Sequence, residues 1–149
     1  GKFNGLTEIV NVEVLTIGGS TTLPDPYEMN TVTLNTGGEV YESCLIEICG
    51  LVLDDPTAWP PEGSGLALDV TDAFGTSAMY IDRDTDVDGS PVPGEPFTAI
   101  GIAGQYDSSP PHDSGYQLIP RRRADILDDT SCPVPTQEKS WGEIKGLYR

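Results

Sequence analysis

"SCLIEICGLVLD" (residues 43–54) is an apolar run of strand length, rich in the β-branched and aliphatic side chains that suit a pleated, buried surface and closed by Asp54. Four later runs share its character: "GLALDVTDAF" (65–74), "SAMYIDRD" (77–84), "PFTAIGIAGQYD" (96–107) and "GYQLIPRR" (115–122). The stretches between them, "DDPTAWPPEGSG", "FGTS", "DTDVDGSPVPGE" and "SSPPHDS", carry the Pro, Gly, Asp and Ser that set turn dihedrals or cap free backbone groups. Gly50, Gly101 and Gly104 fall where a curved sheet needs them. Five such strands predict an all-β fold, a small OB-like five-stranded barrel over residues 41–126.

Residues 1–40 read as an N-terminal β arm. In "LTEIVNVEVLTI" (6–17) the apolar positions Leu6, Ile9, Val10, Val12, Val14 and Ile17 are set against Glu8, Asn11 and Glu13, a strand that seeks a sheet edge in its own domain or in a neighbour's. "TVTLN" (31–35) repeats the pattern more briefly, and "NTGG" (35–38) predicts its end. Residues 127–149 form a C-terminal tail expected to pack on the barrel or on a neighbour. In "SWGEIKGLYR" (140–149) Ser140 and Glu143 have capping-box spacing, and Trp141, Ile144 and Leu147 recur at i, i+3, i+6, which predicts a short amphipathic helix.

With 17 glycines and 13 prolines in 149 residues, the composition suits a turn-rich β protein better than a helix bundle. The formal charge is −16, from 24 acidic and 8 basic residues, a self-repulsion that bound cations relieve or that serves solubility. It argues against nucleic acid as a partner, because the one basic run, Arg121, Arg122 and Arg123, stands beside Asp125, Asp128 and Asp129. No apolar run approaches the ~18 residues of a membrane span. Opening on Gly1, the chain reads as a processed, extracellular or cell-surface product.

Three cysteines add one constraint. Cys44 and Cys49 lie five apart, on opposite faces of a straight strand, so they are not expected to bond to each other. Cys132 in the tail is the natural partner of one of them, Cys44 or Cys49, and such a disulfide would staple the tail to the strand; three reduced thiols are the alternative.

"DTDVDGSPVPGE" (84–95) satisfies the spacing D-x-D-x-D-G-x5-E in full, with Asp84, Asp86, Asp88, Gly89 and Glu95. Alternation lets three carboxylates converge from a curling loop, the glycine permits a sharp turn, and the distant glutamate closes the shell with two oxygens. Calcium is the expected ion, with Asp82 as a further ligand or a contact behind the ligands. The surroundings depart from an EF-hand, since a strand precedes the loop and Pro91, Pro93 and Pro96 forbid a normal exiting helix. A solvated acidic turn is the competing reading.

Catalytic sets are absent from the pattern. The single histidine, His112, stands next to Asp113 and near Ser109 and Ser114 in one loop, and neighbours in one loop rarely reach the geometry of a proton relay. No zinc-ligand spacing and no nucleophile elbow occur, so no enzyme is expected. Trp59 and Tyr106 are loop aromatics suited either to stacking on a sugar ring or to covering the ends of the core.

The order of segments carries a resemblance. "GIAGQYD", with its G-x-x-G-Q-Y-D pattern, "GYQLIPR" and the following "ADI" resemble the OB-fold-like domains that recur in large secreted bacterial proteins, sometimes beside extracellular nuclease or lamin-tail domains, over roughly residues 40–126. The ending "SWGEIKGLYR" is similar to the closing stretch of such proteins. The resemblance implies export and a barrel, and no activity. Two functions stand against each other: an extracellular fibre or pilus-like subunit that self-assembles into a homopolymer by adding its N-terminal arm to a neighbour's sheet and is stiffened by calcium, or a secreted, non-catalytic module whose barrel binds a polysaccharide or another ligand. The long arm favours the first.

Overall fold

The computed structural model describes residues 24–128 without a break, together with Lys2, Phe3, Leu6, Thr7, Glu13, Gly18, Gly19, Thr22 and Cys132. The elements in chain order are β1 (Lys2–Phe3), β2 (Leu6–Thr7), β3 (Tyr27–Met29), α1 (Thr31–Tyr41), β4 (Leu45–Leu53), β5 (Leu66–Thr71), β6 (Thr76–Ile81), β7 (Phe97–Gln105), β8 (Tyr116–Ile119) and β9 (Ile126–Leu127), with 3-10 turns at Pro56–Ala58 and Arg123–Asp125. β1 and β2 form a small antiparallel pair that sets Phe3 opposite Leu6.

The five strand runs of the sequence are the five strands of a closed barrel, β4 to β8. β4 pairs with β5 and β5 with β6, both antiparallel. β6 then pairs in parallel with β8, β8 runs antiparallel to β7, and β7 returns antiparallel to β4. That circuit of four antiparallel seams and one parallel seam is the OB-like barrel expected. Two short strands lie outside it, β3 parallel to β4 and β9 antiparallel to β7. Side chains alternate along the strands, and one set fills the interior: Ile46, Ile48, Leu51, Leu68, Val70, Met79, Ile81, Phe97, Ala99 and Leu118 are all essentially removed from water.

Closure demands that one strand serve two neighbours. β4 pairs with β7 through Leu45–Ile48, shifts register between Ile48 and Leu51, and then offers Val52 and Leu53 to β5. Gly50 sits in that irregularity at φ 75°, a left-handed conformation that a side chain would oppose. Its neighbour Cys49 is bonded to Cys132, with Cα atoms 5.5 Å apart, so the tail is tied to the bend of β4; Cys44 keeps a free thiol.

Residues 31–41 correct the sequence reading. "TVTLN" is not a strand and "NTGG" does not end one; both lie inside α1. β-branched alternation was outweighed by capping. The Asn30 side chain accepts from the Thr33 N–H at 2.8 Å, and Asp72 from the β5–β6 turn takes both the N–H and the hydroxyl of Thr31, at 2.9 and 2.8 Å. Burial works to raise the Asp72 pKa, but these bonds and those from Phe74 and Gly75 N–H outweigh it and hold the carboxyl below its ordinary range. The helix then closes one end of the barrel. Leu34 is fully buried, and Gly38 lies so close to the Tyr116 ring that a Cβ there would come within 2.1 Å of it. The helix expected in the tail at 140–149 lies outside the described residues, and among the described residues no helix is long and apolar enough to cross a membrane.

The outer strand β3 carries an electrostatic fault. Glu28 stands in register with Glu47 of β4, and partial burial together with the Glu28 charge raises the Glu47 pKa. A carboxyl raised in the folded state holds its proton more tightly there than in the unfolded chain, so charged Glu47 weakens the fold at neutral pH and the penalty fades as pH falls. Glu47→Gln is therefore expected to raise Tm by about 1–3 °C at pH 7, a gain that shrinks to nothing near about pH 4. Thermal unfolding followed by circular dichroism across that range checks it.

Candidate functional site

The acidic loop after β6 does not gather its carboxylates. Asp82 Oδ1 accepts from the Asp84 N–H at 2.9 Å, and Asp86 Oδ1 accepts from the Arg123 N–H at 2.7 Å. Asp88, buried, accepts from the Gly63 N–H, and Glu95 Oε1 accepts from the Leu53 N–H at 2.8 Å. Asp84 is exposed. Four carboxylates thus face four different segments, and among the described residues no three acidic, His or Cys side chains come together as a metal-binding group. A calcium ion takes six to eight converging oxygens, whereas these carboxylates are spread over separate backbone partners. Spacing along a chain yields convergence only when the backbone coils around one centre, and here Asp82, Asp86, Asp88 and Glu95 are turned to separate backbone N–H groups.

A concave site lies elsewhere, on the outer face of β5, β6 and β8. Outward positions on these strands follow from the inward ones: Leu68, Met79, Ile81 and Leu118 enter the core, so Ala67, Tyr80, Gln117 and Ile119 point out. Register brings them together, with Ala67 opposite Tyr80 and Gln117 beside Ala78 in the parallel β6–β8 seam. These four residues, joined by Asp82, Gln105 and Tyr106, line a mainly apolar cavity of about 390 Å³, within the size range of small-ligand sites.

Two groups in this groove carry chemistry. Gln117 is only 8% exposed, yet its carboxamide makes no hydrogen bond among the described residues. The Gln117 carboxamide, with two donors and an acceptor, therefore stands at the cavity wall without a protein partner among the described residues. Tyr106 is 57% exposed at the other wall, at the start of the β7–β8 loop. Trp59, the second aromatic candidate, instead packs against the core with its indole N–H buried and unpartnered.

The β7–β8 loop that carries Tyr106 is held from within. Gln105 Nε2 donates to the carbonyls of His112 and Ser114, at 2.8 and 3.0 Å. Asp107 accepts from the Ser114 hydroxyl at 2.7 Å and from the Ser109 N–H at 2.9 Å, and these bonds, the hydroxyl first, lower its pKa. His112 Nδ1 lies 2.8 Å from the Asp107 carbonyl oxygen, which can only accept, so that nitrogen carries the proton. Serine and histidine are therefore each committed to a different atom of Asp107 and do not form a proton relay. The Arg121–Arg123 run is likewise engaged: Arg121 and Arg122 bind buried Asp125, and Arg123 binds the Ile126 carbonyl and Asp128.

Sequence reasoning named Tyr106 and Asp82 but missed Tyr80, Gln117 and Ile119. The signal for Gln117 was present: one polar residue in an otherwise apolar strand, "YQLI". Of the assembly arm, Leu6, Thr7 and Glu13 are described, while Ile9, Val10, Val12, Val14 and Ile17 lie outside the described residues. No protein-family model matches this chain, and no curated protein matches it in sequence.

Asp88→Ala removes the acceptor of the Gly63 N–H from a buried position and is expected to cost about 1.5–3 kcal/mol, equally in calcium and in chelator. Urea unfolding in both buffers checks this. A calcium-dependent stabilisation of the parent protein that Asp88→Ala abolishes would mean that the loop turns its carboxylates to a metal instead.

Proposed function

We propose that this protein is an extracellular, non-catalytic binding module that holds a polysaccharide chain along the outer groove of its barrel. The observation that carries this reading is the mainly apolar groove itself, where the Gln117 carboxamide, without a hydrogen bond among the described residues, lines the wall together with Tyr80 and Tyr106. A sugar ring offers an apolar C–H face to an aromatic side chain and a rim of hydroxyls to an amide, and the groove presents both partners side by side. The outer face of the second and third barrel strands, with the loop between the fourth and fifth, is where OB barrels take extended ligands.

Charge narrows the ligand. Between residues 24 and 128 there is no lysine, and of the four arginines three are engaged by Asp125, Asp128 and a backbone carbonyl. Over these residues a nucleic acid would find little positive charge to replace its counterions. The Cys49–Cys132 disulfide supports an oxidising, extracellular setting.

Isothermal titration against a panel of soluble polysaccharides and their hexamers tests the reading. Tyr106→Ala and Gln117→Ala are each expected to weaken binding about tenfold, the loss of one stacking or hydrogen-bonding contact, with Tm unchanged within a few degrees. Binding that survives both substitutions at full strength would remove the groove as the site.

A further inference from the structure

We infer that the chain held in the groove carries protonated amines, as in a polymer of amino sugars, with an ammonium group seated beside Asp82; this rests on the groove being the glycan site proposed above. Asp82 lines the cavity at the end of β6, two residues beyond Tyr80. Its Oδ1 is held by the Asp84 N–H, which orients the carboxylate, whereas Oδ2 makes no hydrogen bond or ion pair among the described residues. A half-buried carboxylate fixed at one oxygen and open at the other is a preorganised acceptor for a cation.

Independent of Asp82, Gln117, a residue only 8% exposed, lines the same cavity with a carboxamide that makes no hydrogen bond among the described residues and has both donors and an acceptor to offer. A ring bearing a hydroxyl next to an amine satisfies the carboxamide and the carboxylate together. Tyr80 and Tyr106 add aromatic faces, which attract cations as well as C–H groups. No lysine or arginine lines the groove to compete, and Asp69 stands on the same outward face of β5 as Ala67. A neutral sugar would leave Asp82 desolvated without a partner, and an anionic one would be repelled; charge complementarity thus selects among glycans of similar shape.

Titrations with three hexamers, of glucosamine, of N-acetylglucosamine and of glucose, and with a hexalysine peptide, decide the matter. Glucosamine hexamer is expected to bind at least about tenfold more tightly than either neutral hexamer. Asp82→Asn, which keeps an acceptor for the Asp84 N–H, is expected to erase that preference, while Glu28→Gln, the same charge change on β3, leaves it intact. Equal affinity for the three hexamers, or loss of preference in Glu28→Gln as well, overturns the amine inference but leaves the glycan reading standing. Tighter binding of hexalysine than of glucosamine hexamer overturns it in favour of a basic peptide. No binding of any hexamer overturns both.

Discussion

The bend within β4 is what the rest of this structure depends on. β4 runs along β7 from Leu45 to Leu51, with a register shift between Ile48 and Leu51 and Gly50 at positive φ, and gives Val52 and Leu53 to β5. Without that bend the five strands form an open sheet with two bare edges, each a row of unpaired N–H and C=O groups. With it, the interior closes around Phe97, Met79 and the aliphatic residues of all five strands. The disulfide from Cys49 anchors the tail at this same bend, so a backbone irregularity is also fixed by a covalent bond.

A chain with a charge of −16 must find somewhere to place its carboxylates. Here many of them are spent on backbone N–H groups. Asp55 holds Thr57, Asp72 holds Thr31, Phe74 and Gly75, Asp86 holds Arg123, Asp88 holds Gly63, Glu95 holds Leu53, Asp107 holds Ser109 and Asp128 holds Gly94. A carboxylate accepting from peptide N–H dipoles makes a charge-assisted bond without a countercharge. The loops of the barrel, which have no ladder of their own, are therefore tied down by side chains. Because Asp72 and Asp125 are held below the ordinary carboxylate range, the stability they lend is complete above about pH 4 and is lost as pH falls through their lowered values.

The barrel was legible in the sequence because its strands are continuous apolar runs divided by turn residues, and each of the five appears where its pattern places it. What was not legible was set by contacts distant in sequence. Thr31, Val32 and Thr33 look like a strand until Asp72, forty-one residues away, caps them into a helix. The spacing of Asp84, Asp86, Asp88 and Glu95 along the chain gives no hint that Asp86, Asp88 and Glu95 each accept from a different segment of backbone. The groove was hidden for the same reason. Gln117 lies beside Ala78 through a parallel seam between strands that are not consecutive in the chain, and no local pattern announces a parallel pairing.

That parallel seam also explains why the concave surface is where it is. β6 and β8 run in the same direction, so the chain must cross from the end of one to the start of the other, and it does so through β7 and the 106–115 loop. The crossing brings Tyr106 back over the outward side chains of β6 and β8, while Gln105 and Asp107 fix the loop from below. Barrel topology thus raises a wall beside Tyr80, Ile119 and Gln117 that a simple meander of consecutive strands would lack. Closing the core and placing Gln117 at the wall of a groove are thus consequences of one strand order.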